Sequence, residues 1–107
     1  MSGSYDRGRL VELFGDDAST VAEIEREFLD TARGAAVEIR GTDDLERIAK
    51  AAHRVKGASG MIGADALSRV AAAIEQAARA RDLSAVRRLD AHFSEEVTRV
   101  ASQVAAA

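Results

Sequence analysis

The sequence predicts an all-α fold: an antiparallel up-down four-helix bundle with a short N-terminal capping helix. Three observations carry this expectation. Proline is absent from the 107 residues and alanine is abundant, so nothing interrupts helix and much favours it. Apolar residues recur at threes and fours along most of the chain, while strand-like alternation of β-branched residues persists nowhere. The connections between the long periodic segments are short, so neighbouring helices run antiparallel. Each apolar face then has only the other helices to bury it.

The short leading helix covers about residues 7–14, with Leu10, Leu13 and Phe14 on one side. The second helix covers about residues 18–40 and is capped by Asp17. Its stripe is Val21, Ile24, Phe28, Ala32, Ala35 and Ile39. In "RGTDD" Gly41 stops that helix and Asp43 caps the next, with Glu46 three residues on in a capping-box-like pattern. The third helix covers about residues 44–60, with Leu45, Ile48, Ala49, Ala52, Val55 and Ser59 inward. Gly60-Met61-Ile62-Gly63 ends or bends it. The fourth covers about residues 64–81 and buries Leu67, Val70, Ala71, Ile74, Ala77 and Ala78. The fifth runs from about Ser84 to the tail, with Val86, Leu89, Phe93, Val97, Val100 and Val104 at fours and threes. Such spacing also fits a coiled-coil dimer, but the stripe is short and has partners within the chain, so core packing in a monomer is expected.

Residues 1–107 make one domain's worth of chain, in which residues 1–6, small and polar, are expected to fray. Apolar residues are 47% and charged residues 31%, an ordered globular composition. A net charge of −3 argues against a nucleic-acid or acidic-membrane binder. There is no cysteine, hence no disulfide framework and no thiolate metal site. No apolar run reaches the roughly 18 residues that span a bilayer, and no signal peptide is visible. A cytoplasmic location is expected.

The third helix contains "AAHRVKGASGMIGA", which places a histidine before three glycines. At about 100° per residue, His53 falls roughly 110° from the centre of the buried stripe. Lys56, Gly57 and Gly60 follow it at i+3, i+4 and i+7, along the same outward row. Each mid-helix glycine is less stable than alanine by about 0.8–1 kcal/mol. What Gly57 gains is room: without a Cβ, another molecule's surface can approach the imidazole. Arg47, Lys50, Arg54 and Lys56 make this stretch basic in an acidic chain, with no acid between them. Lys56 is placed to offer an ammonium to a group carried on the ring, and Lys50 and Arg54 to meet an acidic partner. A histidine ring is largely neutral at pH 7 and nucleophilic in that form. Nucleophile, cation and open approach together point to transient phosphorylation.

"HRVKGASGMIGA" resembles the signature of histidine-containing phosphotransfer (HPt) domains. His53, Val55, Lys56, Gly57, Ala58, Ser59, Ile62, Gly63 and Ala64 stand where that pattern asks, and "ALSRVAAAIEQAARARD" continues the likeness through Leu67, Ile74 and Glu75. The resemblance covers nearly the whole chain and implies the same four-helix bundle. It also implies a phosphorelay intermediate, in which His53 accepts a phosphoryl group on Nε2 and passes it on. Lys56 would stabilise the phosphoryl charge, Gly57 would keep the face open, and Glu75 would orient the imidazole through its other nitrogen. The implied partners are response-regulator receiver domains, including the receiver of a hybrid histidine kinase. Lys50, Arg54, Gly57, Gly60 and Met61 would form the contact surface.

No nucleotide loop is present, since "KGASG" does not match G-x-x-x-x-G-K-[ST], and no Rossmann fingerprint occurs. No Asp/Glu/His set has metal-site spacing. The chain is therefore expected to bind no cofactor and to have no kinase activity of its own, with Mg²⁺ supplied by the partner receiver's acidic pocket. His92, at the edge of the fifth helix's stripe, has no comparable companions and reads as structural. The pairs Asp16-Asp17, Asp43-Asp44 and Glu95-Glu96 read as caps and solvated faces. Arg79, Arg81, Arg87 and Arg88 read as a solvated helix end. Two other functions fit the same features: a receiver-binding adaptor that carries no phosphate, and the phosphoacceptor domain of a larger chemotaxis-type histidine kinase. A dimerising kinase transmitter domain fits less well, because Arg54 follows the histidine where an acidic residue is usual.

Overall fold

The computed structural model describes residues 5–106, and among these the chain is entirely helix and connection, without a strand. Five helices follow one another: α1 (Arg7–Phe14), α2 (Ala18–Gly41), α3 (Leu45–Ile62), α4 (Asp65–Arg79) and α5 (Leu83–Ala106). None is long and apolar enough to cross a membrane.

Aspartates start most of them. Asp6, Asp17 and Asp44 each accept from a first-turn amide of α1, α2 and α3, and Asp82 Oδ1 accepts from Ala85 N at the start of α5. These bonds satisfy amides that have no partner inside the helix. The cap of α3 is thus Asp44 and not Asp43. The chain leaves α2 through an extended Thr42 (φ −139°), whose Oγ1 accepts from Asp44 N. Asp43 instead pairs with Arg87 at 2.8 Å.

The α3–α4 turn is closed by a left-handed Gly63 (φ 81°). Ala64 N donates to Ser59 O at 2.8 Å, and Gly63 N to Gly60 O at 3.4 Å, the two bonds of a Schellman motif. Gly60 therefore lies inside α3, and the helix runs two residues past the expected stop to Ile62. The α4–α5 turn has the same pattern, with Asp82 N on Ala77 O and Arg81 N on Ala78 O, but Arg81 takes the left-handed position (φ 63°). That turn ends α4 at Arg79 rather than at the expected Arg81; the glycine that usually marks such a stop in a sequence is missing.

α2 packs against α3 and α5, and α4 packs against the same two, while α1 lies on α2 and α3. Phe28, Ile39, Ile48, Val55, Leu67, Ile74, Val86, Phe93 and Val100 form the centre of the core. The predicted stripes of the four long helices are buried or half-buried throughout. α1 differs: Leu10 is fully buried and Val11 packs partly against the core, but Leu13 and Phe14 at its C-terminal end are 57% and 42% exposed. Residues 1–4 of the segment expected to fray lie outside the described residues. Tyr5 and Asp6 are held: Tyr5 Oη donates to the buried Glu25 at 2.7 Å, and Asp6 N donates to Gly63 O at 3.1 Å.

Candidate functional site

The site lies where α3 and α4 face each other. His53 sits in the third turn of α3 with its side chain 62% exposed, and Glu75 on α4 is only 9% exposed. Glu75 Oε2 lies 3.0 Å from His53 Nδ1. Lys56, half-buried one turn along, places Nζ 3.0 Å from Glu75 Oε1. Arg79, one turn on from Glu75 in α4, donates from Nε (3.1 Å) and Nη2 (2.8 Å) to Oε2. One carboxylate thus accepts from four N–H groups on three side chains, three of them on Oε2 and one, from Lys56, on Oε1.

Burial would push the Glu75 carboxyl up, but hydrogen bonds from Lys56, Arg79 and His53 outweigh it and lower the pKa to about 2. An ionised carboxylate only accepts, so Nδ1 of His53 carries the ring proton and donates it. Nε2 of a neutral ring then holds the free lone pair. Among the described residues Nε2 bonds to nothing. The result is an exposed, oriented nucleophile backed by a buried anion.

Beyond the ring the surface is open. A Cβ on Gly57 would meet nothing within 4 Å, and one on Gly60 would meet only Ser68 Oγ, at 3.9 Å. Ser68 Oγ donates to Lys56 O at 3.1 Å, holding α4 close to this turn of α3. Met61 is 55% exposed on the same helix. Lys50 is exposed and makes no ion pair among the described residues. Arg54 is exposed but committed: its Nη2 lies 3.1 Å from Glu38 Oε1 on α2, and Arg47 holds the other oxygen of Glu38 at 3.3 Å.

His53 and Lys56 stand one turn apart as their spacing suggested, and Glu75 joins them as the resemblance implied, though the Lys56 ammonium rests on Glu75 rather than free beside the ring. Arg79, read from sequence as part of a solvated helix end, belongs to the same cluster. Its signal was the i,i+4 spacing from Glu75. Arg87 has left that group as well, donating to Ile39 O, Thr42 O and Asp43. His92 lies apart, exposed, with Nε2 3.7 Å from the buried Glu96. Among the described residues no three His, Cys, Asp or Glu side chains are grouped to hold a metal ion.

A family model of the Hpt domain matches residues 9–103. Searches of curated proteins and of solved structures return no match. The family match spans the helix pair that carries the histidine and its carboxylate, and continues through nearly all of α5. The chain belongs to the Hpt-domain family, whose members perform histidine phosphotransfer in two-component signalling.

Proposed function

We propose that His53 is the phosphoacceptor of a multistep phosphorelay, taking a phosphoryl group from the aspartate of one receiver domain and giving it to another. The observation that carries this reading is the His53 Nδ1–Glu75 bond at 3.0 Å on an otherwise exposed ring. It leaves Nε2 as the nucleophile. In the forward step the Nε2 lone pair attacks phosphorus, an N–P bond forms, and the P–O bond to the partner's aspartate breaks with departure of its carboxylate. The Nδ1 proton stays in place, and the ring becomes cationic beside the Glu75 carboxylate, which stabilises it. Lys56 turns its ammonium to the phosphoryl oxygens. Mg²⁺ and in-line geometry come from the receiver.

The four long helices are read as an antiparallel up-down bundle. Supporting this, Arg87 at the start of α5 reaches Ile39 O near the end of α2, and Arg47 at the start of α3 reaches Glu38. Residues 53 and 56 of α3 meet 75 and 68 of α4 in descending order. On this bundle the receiver docks over Gly57, Gly60 and Met61. Lys50 and Arg54 lie at the rim, and Arg54 exchanges Glu38 for an acidic group of the partner. A single monomeric domain in the cytoplasm suffices for this role.

Incubation with a phosphorylated receiver domain tests it. Acid-labile, alkali-stable label should appear on the wild-type chain and be absent from His53→Gln. Equal labelling of the variant removes His53 from the mechanism, and binding without any transfer makes the chain an adaptor.

A further inference from the structure

Arg79 is 62% exposed, and an i,i+4 ion pair on a helix surface ordinarily contributes little. Three features separate it from that ordinary case. Its partner is buried, because Glu75 is 9% exposed at the side chain. It donates twice to one oxygen, from Nε at 3.1 Å and Nη2 at 2.8 Å. That oxygen, Oε2, is also the one that accepts from His53 Nδ1. Lys56 occupies the other oxygen alone.

We propose that Arg79 is a positioning residue, which fixes Oε2 of the Glu75 carboxylate and through it the tautomer and tilt of His53. This deepens the phosphotransfer reading and rests on it. His53 holds Oε2 and Lys56 holds Oε1, each through a single bond, so a carboxylate held only by these two can turn about its last side-chain bond once Lys56 leaves. Arg79 limits that turn, since two converging N–H groups of its rigid guanidinium hold Oε2, the oxygen that His53 uses. Arg79 also makes Lys56 dispensable to Glu75. When Lys56 turns to a phosphoryl group, the buried carboxylate keeps the Arg79 cation and three of its four hydrogen bonds. Without Arg79, Lys56 is the carboxylate's one permanent cation, and its movement would leave Glu75 with the His53 N–H alone. The groups bonded to Glu75 are His53 and Lys56 from α3 and Arg79 from α4 itself; among the described residues none comes from α5.

The test compares wild type, Arg79→Ala and Arg79→Lys. It uses imidazole ¹⁵N spectra of the unphosphorylated protein and transfer rates from a phosphorylated receiver across pH. Wild type should show one tautomer, protonated on Nδ1. Arg79→Ala should show averaged Nδ1 and Nε2 signals. Its maximal transfer rate should fall about tenfold, the scale of losing one charge-assisted hydrogen bond. The receiver concentration giving half-maximal rate should stay within about twofold of wild type. The acid limb of its pH–rate profile should move to higher pH, because one cation fewer shares the charge of Glu75. Arg79→Lys should recover part of the rate. Wild-type ¹⁵N signals in Arg79→Ala would overturn the proposal, as would a loss confined to half-maximal concentration, the mark of a docking residue. A wild-type chain that shows the Nδ1 tautomer yet accepts no phosphoryl group would overturn the phosphotransfer reading and leave the positioning role standing.

Discussion

Gly57 is where stability and function can be pulled apart at a single residue. It lies inside α3 with no positive φ, and a Cβ there would meet nothing within 4 Å. Nothing in the fold therefore calls for glycine. Gly57→Ala is expected to raise stability by about 1 kcal/mol in urea denaturation, the ordinary helix-propensity gain. It should also slow transfer from a phosphorylated receiver, because the new methyl group stands one turn from the ring. A variant both more stable and equally fast would mean that the cleared surface is not used. Glu75 offers the complementary test through pH. Its carboxyl is lowered from 4.5 to about 2 by its donors, so the folded state keeps this charge to lower pH than the unfolded chain does. The stabilisation is fully present above about pH 4.5 and is lost as pH falls toward 2. Between about pH 5 and pH 3 the wild-type melting temperature should therefore fall more steeply than that of Glu75→Gln. The two proteins share every other carboxyl, so parallel curves would show that the four donors do not hold this one ionised.

The two Schellman turns make an experiment at the scale of the element. Both end a helix with a residue in the left-handed region, Gly63 at φ 81° and Arg81 at φ 63°. A Cβ on Gly63 would come within 2.9 Å of Asp6 Cβ and 3.1 Å of Asp6 O, because the start of α1 is hydrogen-bonded onto this turn. Gly63→Ala therefore meets both the left-handed penalty of about 1–2 kcal/mol and a clash with backbone, and should destabilise by about 2 kcal/mol or more. Arg81 already carries the left-handed penalty. Arg81→Gly should raise the melting temperature or leave it unchanged, since relief of strain offsets the added freedom of the unfolded chain. The contrast also explains what could be read in advance. The glycines of "GMIGA" announced that α3 ends there, though not which of them closes it, whereas α4 seemed to run to Arg81 because an arginine in that conformation leaves no mark in the sequence. Asp43 and Asp44 were likewise indistinguishable as caps until Thr42 set the register.

Across the whole molecule, what was legible was whatever repeats along one helix, and what was hidden was whatever joins two. The apolar stripes emerged because their 3.6-residue period is local, and the row from His53 to Gly60 emerged for the same reason. That Glu75 would serve His53, Lys56 and Arg79 together depends on the relative height of α3 and α4, which periodicity does not encode. Glu25 is the clearest case. It is 2% exposed, one position from the expected core residue Ile24, and its partners lie 18 and 20 residues earlier in the chain. Arg7 donates to it from Nε at 3.0 Å and Nη2 at 2.8 Å, and Tyr5 Oη at 2.7 Å. This cluster ties the N-terminal segment to α2, while Asp6 and Arg9 tie it to Gly63 and Gly60 at the end of α3. α1 thereby couples α2 to the turn that closes α3. Breaking the tie from one side leaves a buried carboxylate short of its cation, so Arg7→Ala should destabilise by about 3 kcal/mol. Removing the charge as well should recover most of that loss, because an apolar side chain fills the same space without a desolvation penalty. The measurement is a double-mutant cycle of Arg7→Ala and Glu25→Leu in denaturant. Additive losses would show that Arg7 and Glu25 act independently, whereas a double variant more stable than Arg7→Ala alone identifies the buried charge as what α1 exists to neutralise.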